Sequence, residues 1–261
     1  MLIYRRIRED TGETVRRALI LLGVIGTVLT GVAAIFLLGR AESTSYIRGD
    51  SSDDRLVGTY RPNVMVGFDG DDRMEGSSGS DLIQGRNGED TMFGGDDSDM
   101  IVGGPGNDEI HGGPATDAAI GGDGDDRLYG GEGINGVFGG DGDDLLETGT
   151  VGGRALGSAG KDVLVGGYGT DRLIGHDGDD HATGGSGDDR LEGGRGHDRL
   201  RGENGNDSIL GGPGTDRMFG GHGDDAIDAV DGASKDTIDC GPGTDMAYID
   251  PGDVVMNCEF H

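Results

Sequence analysis

Two patterns of apolar residues divide this chain. From Ala18 to Gly39 (ALILLGVIGTVLTGVAAIFLLG) 22 consecutive residues carry no charge, whereas from Leu56 to Ile227 apolar side chains return once in every nine residues. The first pattern predicts a single hydrophobic helix of about 33 Å, enough for about 30 Å of hydrocarbon. Arg5, Arg6, Arg8, Arg16 and Arg17 precede it and mark the cytoplasmic side. Residues 1–17 then form a basic cytoplasmic terminus, 18–39 a transmembrane anchor or secretory signal, and 40–48 a linker. Gly39 and Ala41 are the small residues a signal cleavage would use. On either reading everything after Arg40 is exported.

The second pattern is a repeat. Cut every nine residues from Gly49, the sequence gives 20 units to Asp228 without insertion or deletion, such as GGPGNDEIH from Gly103, GGDGDDRLY from Gly121 and GGSGDDRLE from Gly184. Position one is Gly in 19 units, position six is Asp in 17, and position eight is apolar in all 20. A period kept in phase over that length is a fold signal. Positions seven to nine read as a short strand with the position-eight side chain inward. Arg55, Arg73, Arg127, Arg172, Arg190, Arg199 and Arg217 fall at position seven, facing solvent.

The pattern G-G-x-G-x-D-x-U-x, with U apolar, resembles the haemolysin-type (RTX) calcium-binding nonapeptide repeat over about 200 residues. The resemblance implies an all-β fold, a parallel β-roll or right-handed β-solenoid with two nonapeptides per coil. Twenty units then make ten coils, roughly 48 Å long at the strand spacing. It also implies Ca2+ between the turns of units n and n+2 on each edge. The chemistry agrees: glycines at positions one and four are expected to take positive φ and turn carbonyl oxygens inward. Asp at position six adds a carboxylate, and such oxygens suit Ca2+ better than Mg2+.

Alternate units form opposite edges of the roll. One edge keeps G-x-x-G-x-D in nine successive units, predicting metal-ligating Asp72, Asp90, Asp108, Asp126, Asp144, Asp162, Asp180, Asp198 and Asp216. The other edge departs from it in the units from Gly58, Gly94, Gly112, Gly130 and Thr148, where Asn63, Asn135 and Gly153 replace Asp in three. It recovers with Asp171, Asp189, Asp207 and Asp225. Eight shared sites on one edge and three on the other make about 11. Thr148 to Leu156 is expected to be a locally loosened unit, with a docking gap for a partner as its functional reading.

After Asp228, Ala229 and Val230 intrude before the phase resumes at Asp231. Residues 229–261 read as terminal repeats and a cap, since a solenoid needs its open end covered. Cys240 and Cys258 are the only cysteines, and in an exported chain a disulfide between them is expected.

Composition limits the function classes. With 58 Gly, no Trp and a formal charge of -29, the chain cannot build an ordinary core, and without its repeat it would read as disordered. Residues 49–261 hold 14 basic and 46 acidic groups, a surface that repels nucleic acid and anionic lipid and calls for cations as partners. Only 48 residues precede the repeats, so no catalytic domain is expected ahead of them, and neither HExxH nor G-x-S-x-G occurs, so no enzyme is expected. The six histidines show no ligand spacing. Carbohydrate binding finds no Trp to stack on, and ice binding finds position-five threonines only at Thr116, Thr170 and Thr215. The expected function is extracytoplasmic calcium binding that folds the chain, secreted or at the cell surface. A surface adhesin or structural spacer, with a protein or polysaccharide partner, is the alternative.

Overall fold

The nine-residue period folds as two parallel sheets facing each other. The computed structural model describes residues 44–232 and 235–259, and within these it is all-β. The 24 strands alternate between two 12-stranded sheets. The first sheet starts with β1 (Ser45–Arg48), and the second with β2 (Arg55–Val57) and ends with β24 (Val254–Met256). Each strand pairs in parallel with the strand one coil later, and the register is 18 residues, as in Leu128 with Leu146. One coil is therefore two nonapeptides. The hydrophobic helix expected at 18–39 lies outside the described residues, as do the basic terminus and residues 40–43 of the expected linker. The rest of that linker is not a connector, because Ser45–Arg48 forms β1 and pairs with Asn63–Val66. Among the described residues no helix is long and apolar enough to cross a membrane.

Position eight supplies the core. From Leu56 to Ile227 its 20 side chains are all buried, joined beyond the repeat by Ile238 and Ala247. They form one apolar file between the sheets, about two side chains per coil. Parallel strands buried on one face need such a file because the coil has no other inward apolar position.

Three expectations change in detail. First, 12 coils replace the expected ten, spanning about 58 Å, because Ser45–Arg48 pairs with Asn63–Val66 before the first unit and the terminal repeats add strands after the last. Second, strands continue past position nine into positions one to three of the next unit, as in Leu82–Asn87, so only the remaining residues turn. Third, positive φ belongs to positions two and four, not one and four. Gly104 (φ 134°) and Gly106 (φ 136°) show it, whereas Gly103 has ordinary strand geometry.

The two-residue insertion shifts the register from 18 to 20, so that Met218 pairs with Ile238. Ala229 is buried and Val230 exposed. At the carboxyl end Ile249, Val255 and Cys258 pack against the end of the apolar file, and the Cys240–Cys258 disulfide ties the last two coils together.

Candidate metal-binding columns

Strand alternation places positions six, eight and one inward, so each position-six Asp enters the roll at the edge of a turn. On one edge Asp72, Asp90, Asp108, Asp126, Asp144, Asp162, Asp180, Asp198 and Asp216 stand in a single column, all buried. Each Oδ1 accepts the backbone N–H of the aspartate one coil earlier at 2.7–3.0 Å, from Asp54 N–H to Asp72 through Asp198 N–H to Asp216. The column continues into Asp236 and Asp253.

The opposite edge brings together Asp189, Asp207 and Asp225 in the same way, followed by Asp245 and Glu259. Asp171 heads this run. The sequence reading missed Asp81, Asp99 and Asp117, which stack on the same edge with identical bonds. It discounted two of these coils because the fourth glycine is lost, yet Asp97 (φ 75°) and Ala115 (φ 89°) take up the left-handed turn without it. The position-six aspartate alone was the signal.

The second carboxylate oxygen is the feature that points to chemistry. In 18 aspartates, including all 13 expected from the sequence, the buried Oδ2 has no hydrogen-bond partner. A buried, unsatisfied charged oxygen is expensive. It projects over the position-one glycine of its own unit, where the carbonyl of the next coil's position-one glycine also faces. Above Gly67, Asp72 Oδ2 and the Gly85 carbonyl both crowd the place a Cβ would take, and above Gly103 Asp108 Oδ2 and the Gly121 carbonyl do so. Two acceptors meet there with no donor between them.

Where the sequence departs from Asp, a donor appears. Asn135 Oδ1 accepts the Asp117 N–H at 2.9 Å, while its Nδ2 donates to the Thr148 carbonyl at 2.9 Å. One coil on, Thr148 occupies position one and Gly153 position six, so the inward side chain has moved from one side of the turn to the other. The Thr148 hydroxyl lies 2.6 Å from the Gly166 carbonyl and 2.7 Å from Asp171 Oδ1. This unit is not loosened: Gly153–Ala159 pairs in register with both neighbours. Protein donors fill the same place that lies between two acceptors elsewhere.

Among the described residues no three carboxylate, imidazole or thiolate side chains converge on one point. A cation held here depends on backbone carbonyls together with one or two carboxylates, a hard-oxygen set suited to Ca2+.

Burial raises the carboxyl pKa values along both columns. Desolvation, reinforced by neighbouring carboxylates and opposed by the N–H bond to Oδ1, pushes Asp99 and Asp108 to about 8 and Asp144, Asp162, Asp189 and Asp216 to about 7. Asp90, Asp126, Asp198, Asp207 and Asp225 rise to about 6. Desolvation also takes Asp81 and Asp117 to about 6. A raised acid pKa gives stability that is fully present below the ordinary aspartate value of about 3.9 and lost as pH rises through about 6 to 8. With divalent ions chelated, acidification from pH 8 to 5 is therefore expected to increase β-structure, followed by far-ultraviolet circular dichroism. Loss of β-signal over that interval would contradict the assignment of buried, metal-free carboxylates.

These features define a parallel β-solenoid whose turns stack buried aspartates in columns. The chain belongs to the RTX calcium-binding nonapeptide repeat family, matched at residues 48–83, 66–101, 93–119, 120–150, 156–191, 183–218, 192–227 and 201–234. Among solved structures, a hyperactive, Ca2+-dependent, β-helical antifreeze protein from an Antarctic bacterium aligns over 80% of each chain, with 19% identity and a TM-score of 0.41. No curated protein sequence matches the chain.

Proposed function

We propose that the chain is an extracytoplasmic module whose right-handed roll forms when Ca2+ enters its two aspartate columns. The observation that carries this reading is the set of 18 buried Oδ2 atoms without partners, set against Asn135 and Thr148, where a protein donor takes the same place. Asp72, Asp90, Asp108, Asp126, Asp144, Asp162, Asp180, Asp198 and Asp216 on one edge, and Asp171, Asp189, Asp207 and Asp225 on the other, would hold the ions. Asp81, Asp99 and Asp117 join them. A bound cation supplies the positive charge that buried carboxylates otherwise lack. Folding and binding are then one equilibrium, because the ligands converge only in the coil.

In the low-calcium cytoplasm the acidic chain stays unfolded and export-competent. Outside, calcium cancels its self-repulsion and the roll forms. The Cys240–Cys258 disulfide fits an oxidising compartment, and residues 18–39 would act as anchor or export signal. A role as surface spacer rests on the continuity of the 12 coils, which makes a rod.

The test is far-ultraviolet circular dichroism of residues 41–261 during a calcium titration, with magnesium as control. A cooperative coil-to-β transition specific to calcium is expected at roughly 10⁻⁴ to 10⁻³ M, the range of extracellular modules. Unchanged disorder at millimolar calcium would refute the proposal.

A further inference from the structure

Several arginines on the outer faces of the sheets have partners. On the second sheet Arg55 and Arg73 both pair with Glu75 (3.2 and 3.1 Å), and Arg201 pairs with Glu203 (2.9 Å). Arg199 lies over the Phe219 ring. On the first sheet Arg154, Arg172 and Arg190 stand at position seven of three successive coils, in register with one another. All three are exposed, and none forms an ion pair or ring contact among the described residues. This is the longest in-register run of like charge at position seven among the described residues. At about 4.8 Å spacing, three adjacent unpaired guanidinium groups repel one another.

A depression of about 310 Å³ opens at the upper end of this ladder, lined by Thr116, Ile134, Gly136, Phe138, Arg154 and Thr170 among others. Its cause lies in the sequence. Gly136 occupies the position-seven place directly above Arg154, so the column loses a side chain there, and the Phe138 ring lies 3.2 Å from where a Gly136 Cβ would be. Gly153 also lines the depression. A mostly apolar surface, two threonines in the lining and a line of cations leading away describe one elongated site.

We infer that this face binds an acidic glycan, with a terminal sugar ring seated over Phe138 between Thr116 and Thr170 and carboxylates of the following rings on Arg154, Arg172 and Arg190. A linear glycan advances by about one ring per interstrand spacing. An extended peptide repeats its side-chain direction only at about 6.6 Å, so its charges fall out of step with the ladder. Recognition runs through charge and hydroxyls, without the tryptophan platform that neutral sugars use. The inference rests on the calcium reading: each bound divalent ion offsets part of the chain charge of -29, so repulsion of an anion falls as the columns fill.

The experiment is isothermal titration of the full chain with a short uronic acid hexamer, too short to gel with calcium, in millimolar calcium. Binding that weakens at least tenfold in Arg172→Ala and remains within twofold in Arg217→Ala, an equal charge change on the opposite sheet, is expected. Binding should also weaken as salt is raised. Equal loss in both variants, equal affinity for a hexaglutamate peptide, or no binding by a protein that circular dichroism shows to be folded would each overturn the glycan site. A chain that fails to fold in calcium identifies failure of the calcium reading instead.

Discussion

Replacing Gly121 with threonine is expected to weaken the calcium response of the coils around it, and adding Asp126→Gly is expected to restore folding with fewer bound ions. A side chain at Gly121 would collide with the Asp126 carboxylate, whose Cγ lies 2.7 Å and Cβ 2.9 Å from the Cβ position. Gly121 does not have positive φ, so the clash, not backbone strain, decides the outcome. Overpacking of this kind costs about 1–3 kcal/mol, or about five- to 150-fold in the folding equilibrium. The displaced carboxylate also leaves its column.

The protein already contains the compensated pair. Thr148 and Gly153 exchange the large and small partners of the same two positions, and the strands keep their register. The double variant copies that exchange into the uninterrupted column. Calcium titration by circular dichroism, with ion stoichiometry by calorimetry, checks both halves. A single variant with the parent midpoint, or a double variant with the parent ion count, would show that the position-one glycine does not make room for the carboxylate.

The same pair shows where sequence reasoning ends. The nine-residue period was enough to give the strand direction, the apolar file and the placement of every position-six Asp, because periodicity fixes which side chains face inward. It could not distinguish a glycine needed for φ from one needed for space, since both requirements select the same residue. Positions one and two therefore exchanged roles between expectation and structure. Asp99 and Asp117 were discounted for the turn beside them, although an Oδ1 bond to the preceding coil holds each column. Arg154, left out of the expected position-seven arginines, gains meaning only beside Arg172 and Arg190, 18 and 36 residues on.

The electrostatic division of the surface follows from the same geometry. Turn residues at the edges carry most of the acid, and the outer sheet faces carry arginine at position seven. Exposed ion pairs at the turns, such as Lys161 with Asp179 (3.2 Å), contribute little to stability. Removing them should leave folding nearly unchanged, whereas the buried columns and the apolar file are where substitutions are felt.

Leu128→Ala is expected to be among the most damaging single changes to the core, destabilising the calcium-loaded roll by about 4 kcal/mol, within the range for emptied leucine sites. Leu128 is fully buried, and its neighbours along the chain at position eight are Ala119 and Val137. Each coil has about two core side chains, so a small one must be matched by a large one across the file. Ala119 lies between Ile110 and Leu128, Ala155 between Leu146 and Leu164, and Ala182 between Leu173 and Leu191. Shortening Leu128 puts two alanines in one coil and leaves a void that rigid strands on a fixed 18-residue register cannot close. Adding Ala119→Leu should recover about half of the loss by refilling the space from the opposite sheet, a coupling that a double-mutant cycle isolates. Urea unfolding in saturating calcium measures it. Strictly additive effects would mean that Ala119 and Leu128 do not share one packed layer, and that each sheet is stabilised along its own column.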